Sequence, residues 1–178
     1  MSISIPAPAG YRRIGEGRYR EVVGLGYHEL CEGVVIEHRP GRTITEADNV
    51  VMTTLGGNDA PIHTDAQYST LTAWGRPLVC SSITLHIVGA MTVRSTSGLT
   101  LANLGFDEVR FTHPVFVGDT LYAETEIIGR RLSHSRPDTG IVTSRTRGHN
   151  QDGTAVVTFT RSFFVPIDAD AVRERTNY

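Results

Sequence analysis

The hydrophobic rhythm of the chain changes once, near its middle. Over residues 45–55 and 79–94 apolar positions recur at helical spacing, and from Leu99 onward they alternate with polar ones. Before the first helix, residues 33–38 predict a strand, closed by a turn at Pro40-Gly41. Thr45-Glu-Ala-Asp48 is a capping-box pattern with Asp in place of the usual Glu or Gln. It opens a helix whose Ala47, Val50, Val51 and Leu55 share one face, and Gly56-Gly57 ends it. Thr64 with Gln67 predicts a second, short helix running to about Trp74 and stopped by Gly75-Arg76-Pro77. Asp65 falls in its first turn, where the helix dipole favours a carboxylate. Residues 79–94 follow. There Val79, Ile83, Leu85, Ile87, Val88, Ala90, Met91 and Val93 occupy nearly the whole circumference, which predicts a helix buried on all sides. At roughly 1.5–3 kcal/mol for each large buried side chain, this helix would anchor the core.

The second half reads as strands at 99–101, 108–111, 120–128, 141–149 and 155–165. Gly118-Asp119 and Asn150-Gln-Asp-Gly153 supply turn chemistry, and 133–140 is a longer polar loop. Such short links favour antiparallel pairing. The expectation is an α+β domain, an antiparallel sheet wrapped around a central buried helix.

A chain of 178 residues fits one domain and buries enough surface to fold without a metal or disulfide staple. Residues 19–168 are expected to form it, between an N-terminal arm (1–18) rich in Pro, Gly and Arg and a C-terminal tail (169–178). A net charge of -2 argues against a nucleic-acid footprint. Every basic residue is Arg, which excludes a Schiff-base or P-loop lysine. Cys31 and Cys80 stand far apart and read as reduced, cytoplasmic thiols. No signal-peptide pattern opens the sequence, and the apolar stretch at 83–93 is too short to span a bilayer.

The chemistry concentrates at Thr54-Leu-Gly-Gly-Asn-Asp-Ala-Pro-Ile-His-Thr-Asp65. The glycines permit a sharp bend, and Pro61 fixes φ and steers Ala60 away from helix. A stiff, irregular loop presenting His63 is the expected result. Imidazole exchanges protons near neutrality, so His63 suits a general base and acid. The bland alternative is a ring that only bonds a loop carbonyl. Asn58 reads either as a group that holds a water or as a backbone-binding amide, and Asp59 as a catalyst or a solvated turn residue. His63 with Asp65 falls short of a metal site. His86, on the apolar helix, is expected as a satisfied core histidine, and His113, before Pro114, as structural.

Three segments together resemble the MaoC-like dehydratases, the (R)-specific enoyl-CoA hydratases with a hot-dog fold. They are Gly41-Arg-Thr-Ile-Thr-Glu-Ala-Asp-Asn49, Ala60-Pro-Ile-His-Thr-Asp65 and Val109-Arg-Phe-Thr-His-Pro-Val-Phe-Val-Gly-Asp-Thr-Leu121. The resemblance covers about residues 19–166 and points to the branch acting on itaconyl-CoA, mesaconyl-CoA and related thioesters. It implies a hydro-lyase that adds water to an enoyl-CoA, with no metal or redox cofactor, as a homodimer or higher oligomer. His63, Pro61 and Gly57 match the family's Gly-Asp-x-Asn-Pro-(apolar)-His loop, whereas Asn58 stands where the family has Asp and Ala60 where it has Asn. An amide cannot accept a proton from water, so Asn58 would position the water, or Asp59 would substitute. The family also grips the thioester oxygen with a backbone N–H at the start of the central helix. Here that start is Val79-Cys-Ser-Ser82, with Ser81 in the usual Gly place and Ser82 beside it. A backbone donor needs no particular side chain. Arg94, Arg110, Arg130 and Arg131 are equally open as CoA-phosphate contacts or as solvated strand residues. Two rivals remain: a hot-dog thioesterase, and a non-catalytic acyl-CoA-binding subunit.

Overall fold

A computed structural model describes residues 6–178. In chain order the elements are β1 (Tyr11–Gly15), β2 (Arg18–Glu21), β3 (Val35–Thr43), α1 (Glu46–Leu55), α2 (Pro61–Thr64) and α3 (Ala66–Thr70). Then come α4 (Ser81–Thr92), a π-helical turn (Val93–Ser97), β4 (Ala102–Phe111), β5 (Thr120–Leu132), β6 (Thr139–His149), β7 (Ala155–Pro166) and α5 (Ala169–Thr176). Strands β3-β5-β6-β7-β4 form one antiparallel sheet in that order, and α4 packs on its inner face. This is the α+β arrangement that the change of rhythm implied, and the hot-dog fold that the resemblance implied. Close contact between helix and sheet depends on Gly148, where a Cβ would come within 2.6 Å of Val88.

Several local expectations fail for identifiable reasons. Pro40-Gly41 is not a turn: β3 runs through it, and the pairing with β5 shifts register between His38 and Arg42. The strand expected at 99–101 starts instead at Ala102, and Leu99 is buried ahead of it. Thr64 does not cap the short helix. It ends α2, and Asp65 is the cap of α3, its carboxylate accepting from the Tyr68 N–H at 2.9 Å. The Thr45–Asp48 capping box forms in both directions.

The larger departures concern which faces are covered. Helix α1 turns its apolar stripe outward, leaving Leu55 83% exposed and Val50 and Val51 about half exposed, while Asn49 and Thr53 are buried. Helix α4 is not buried all round, because the sheet covers only one side. Ile83, Thr84, Ile87, Val88 and Thr92 lie inside, whereas Ser81, Ser82, His86, Ala90 and Val93 are exposed. His86 is therefore not a core histidine.

Two apolar clusters make up the core, and only the first includes residues of α4. One gathers Ile83, Val88, Leu121, Val157 and Phe159; the other gathers Leu30, Ile127, Val142, Phe163 and Val165. Between them the inner face of the sheet is polar, with Thr125, Thr146, Ser144 and Arg161 on adjacent strands. His38 joins this belt through its Nδ1 to Ser95 Oγ at 2.6 Å and its Nε2 to Thr125 Oγ1 at 2.8 Å. The π-helical turn supplies Ser95 and Ser97 to it. At the ends of the chain, Arg12 of the β1–β2 hairpin donates to the Arg173 and Tyr178 carbonyls. Arg173 of α5 in turn donates to Gly24 O at 2.7 Å.

Candidate active site

Gly57, at φ +65, reverses the chain after α1, and Pro61 sits in the first turn of α2. A proline there sacrifices only an N–H that has no intrahelical partner. His63 thus rides on a helical turn, not on an irregular loop. Its Nδ1 lies 3.0 Å from Leu78 O. A carbonyl only accepts, so Nδ1 carries the hydrogen and Nε2 keeps its lone pair. Nε2 has no partner among the described residues. The ring is half-buried and lines a cavity of about 200 Å³ with Val50, Pro77 and Val117, and Glu46 and Arg76 also line it.

What fixes the ring is Asn49, 2% exposed on the inner side of α1. Its Nδ2 donates to His63 O at 2.9 Å and to Leu78 O at 3.3 Å, and its Oδ1 accepts from Cys80 N at 3.1 Å. One side chain ties the turn that carries His63, the carbonyl that orients the imidazole and the entry to α4. These bonds explain why α1 buries a polar side: the junction there is made of backbone groups that need partners.

The remaining candidates lie beside this junction. Asn58 Nδ2 is 3.1 Å from Cys80 Sγ, and its Oδ1 accepts from Ala60 N at 3.3 Å. The amide therefore has the backbone-holding role, with one lone pair of Oδ1 left to accept from a water. Asp59 is exposed. Ser81 is the first residue of α4, and its N–H donates to no group among the described residues. Ser82 Oγ lies 3.1 Å from Cys80 Sγ. Burial pushes the Cys80 thiol up, but hydrogen bonds from Ser82 (hydroxyl and N–H), the Asn58 amide and the Ile83 N–H together hold it below the usual thiol range.

Residues 31–148 match the family model for the MaoC like domain. The chain belongs to the MaoC-like dehydratase family. This MaoC-like domain is 38% identical over 138 residues to a mesaconyl-CoA hydratase of Cereibacter sphaeroides, an alignment covering 78% of this chain and 40% of that protein. It is 33% identical to a beta-methylmalyl-CoA dehydratase of Chloroflexus aurantiacus, covering 78% of this chain and 39% of that protein. An R-hydratase structure from Pseudomonas aeruginosa superposes with a TM-score of 0.70 at 26% identity, covering 83% of this chain and 89% of that one. The MaoC-like domain thus spans about 40% of the length of those two curated relatives.

The structure brings His63, Asn58 and Ser82 into one neighbourhood through Leu78 and Cys80. Sequence reasoning met Asn49 only as the last residue of a segment that resembles the family's and gave it no role. It also passed over Arg76, which lines the same cavity as His63 with its guanidinium on the Phe116 ring, while attending to Arg94, which pairs with Glu21, and Arg130, which donates to Tyr27 O. His113 is structural, its Nδ1 bonded to Ala155 O at 2.8 Å. Among the described residues no three His, Cys, Asp or Glu side chains gather as metal ligands would, and no helix is long and apolar enough to cross a membrane.

Proposed function

We propose that this MaoC-like domain catalyses the reversible addition of water to the C2=C3 bond of an enoyl-CoA thioester. The observation that supports it most is the orientation of His63: Nδ1 is held on Leu78 O, and Nε2 is left with a free lone pair to act as a base. In the forward direction His63 Nε2 takes a proton from water as the water oxygen bonds to C3. The π electrons move through C2 onto the thioester oxygen, and the unengaged Ser81 N–H stabilises that charge at the positive end of the α4 dipole. The proton on Nε2 then passes to C2, which restores the imidazole. Asn58 Oδ1 holds the attacking water. Asp59, exposed to solvent, takes no part, and neither a metal nor a redox cofactor is required. Branched or dicarboxylic enoyl groups fit the names of the curated relatives.

A second hot-dog unit completes the assembly in this reading, most simply another copy of the chain. β4 is an edge strand of ten residues with Leu104, Phe106 and Phe111 exposed, and the outer side of α4 beside it is partly apolar. Action in the cytoplasm is part of this reading, and two free thiols and a CoA-ester substrate are consistent with it.

The deciding experiment follows the ultraviolet absorbance of enoyl-CoA esters during hydration by the native protein and by His63→Ala. The expected loss in His63→Ala is about 10²–10⁴-fold. Equal rates, or no turnover on a broad panel, would overturn the assignment, and release of free CoA thiol would identify a thioesterase instead.

A further inference from the structure

The β1–β2 hairpin carries four arginines in a short span, Arg12, Arg13, Arg18 and Arg20. All four line one hollow of about 600 Å³, together with Glu174 and Asn177 at the end of α5. Arg12 and Arg20 stand directly opposite each other across the two strands, and Arg18 shares the face of Arg20, two residues away. Like charges so placed repel, and a two-stranded ribbon is only marginally stable by itself.

The end of α5 accounts for part of this arrangement. Arg12 Nη2 donates to the Arg173 and Tyr178 carbonyls, and Arg20 Nη1 donates to Asn177 Oδ1 at 2.9 Å. A helix C-terminus attracts cations, but its dipole equals only about half a charge, and α5 already carries Arg173 and Arg175 in its last turn. None of the four hairpin arginines has a carboxylate within ion-pair distance among the described residues. Arg12 Nε is buried and has no hydrogen-bond partner. Arg13 Nε donates to Gly15 O at 3.1 Å, and the Arg18 guanidinium has no partner among the described residues. Planar guanidinium donors left over in this way match the oxygens of phosphate groups. The hollow has the size of a small-molecule site, and a net charge of -2 disfavours a nucleic acid. We propose that the β1–β2 hairpin and the end of α5 bind the diphosphate group of a small molecule.

This hollow shares no lining residue with the cavity at His63. Glu21 of β2 pairs with Arg94, which lies on the order of 20 Å beyond Ser81 along the helix. The site is therefore separate from the candidate active site and does not depend on the hydratase reading. Two sources offer the same chemistry: the nucleotide end of a CoA ester and a free nucleoside diphosphate.

Calorimetry on the full chain at low ionic strength tests the site, with inorganic pyrophosphate, ADP and adenosine as probes. Pyrophosphate and ADP should bind, adenosine should not, and added salt should weaken the binding because exposed charges are screened. Replacing both Arg13→Gln and Arg18→Gln should weaken pyrophosphate and ADP by about 10–100-fold, the range of charge-assisted contacts. Both side chains are exposed and bond no other element among the described residues, so the ligand-free melting temperature should stay within a few degrees. The Arg13→Lys and Arg18→Lys pair should keep part of the affinity. Absence of pyrophosphate and ADP binding in the native protein overturns the site even if no variant folds. So does adenosine binding as tightly as ADP, or affinity for pyrophosphate that survives unchanged in the double Gln variant. Hydration kinetics separate the two sources. A raised KM with unchanged kcat in the double Gln variant identifies the nucleotide end of the CoA ester, and an unchanged KM identifies a free nucleotide. Pyrophosphate binding without hydration of any enoyl ester would remove the hydratase reading and leave this site standing.

Discussion

Among single residues, Asn49 decides more than its place in the sequence suggests. An imidazole is useful only when its tautomer and angle are set, and the Leu78 carbonyl that sets them is itself held by Asn49. Asn49→Ala leaves the Cys80 N–H and the His63 carbonyl without a partner in a buried place, which costs about 1–3 kcal/mol of stability. A purely structural residue would show that loss and nothing more. The positioning role predicts in addition a fall in kcat with little change in KM. In Asn49→Asp, where an anion replaces a donor near the ring, the acid limb of kcat/KM should move to higher pH because a nearby negative charge favours imidazolium. Measured pH profiles of the three proteins decide it, and an unmoved limb in Asn49→Asp reduces Asn49 to a brace. His63 was singled out in the sequence because Gly and Pro stiffen the turn that carries it and because that turn resembles the family's loop; the residues alone left a ring that only bonds a loop carbonyl equally open. Asn49 was not singled out, because its three partners lie 14 to 31 residues away and are all backbone atoms.

Among the elements, α4 shows how far the hydrophobic pattern reaches. Its apolar circumference identified the central helix, but a pattern cannot say which chain covers each side. Here the sheet covers one side, and the other lines a cavity and the edge beside β4. The outward stripe of α1 misled for the complementary reason: its inner side was reserved for polar backbone partners. The start of α4 offers a test that separates backbone from side chain. Cys80 has φ -61 and ψ 136, an extended geometry that accepts a following proline, and Ser81 is the first helical residue, where proline is well tolerated. Its N–H has no partner to lose. Ser81→Pro should therefore keep its melting temperature within a few degrees and lower kcat by about 10²–10³-fold, because it deletes the N–H proposed to meet the thioester oxygen. Ser81→Ala, which keeps the N–H, should remain active. A fully active Ser81→Pro would move the oxyanion site elsewhere.

At the scale of the molecule, the unusual feature is the polar belt that divides the core. Threonine and serine alternate in a strand as comfortably as valine, so the period-two pattern found the strands without revealing that their inward positions change from apolar to polar and back. His38 sits in that belt, 2% exposed. Burial, and then the charges of Arg161 and Arg39, depress its pKa to about 4. The sign follows from proton counting. Between about pH 6.5, where an unfolded histidine titrates, and pH 4, the unfolded chain binds a proton that the folded one refuses, so stability falls as the pH is lowered. The full effect is at most about 3 kcal/mol, all of it present above pH 6.5 and lost progressively down to pH 4. Asp48 acts in a lower window. Hydrogen bonds from the Thr45 N–H and hydroxyl, then Arg42, hold its carboxyl below the usual range, so its contribution is lost only as the pH falls below about 4. Urea titrations at pH 7.5, 6 and 5 should show a steady fall for the native protein and a much flatter response for His38→Gln. Arg161→Met should lie between them, since removing that charge lets the imidazole protonate more easily. If His38→Gln and the native protein lose stability in parallel over this range, the belt is not what makes the fold sensitive to acid.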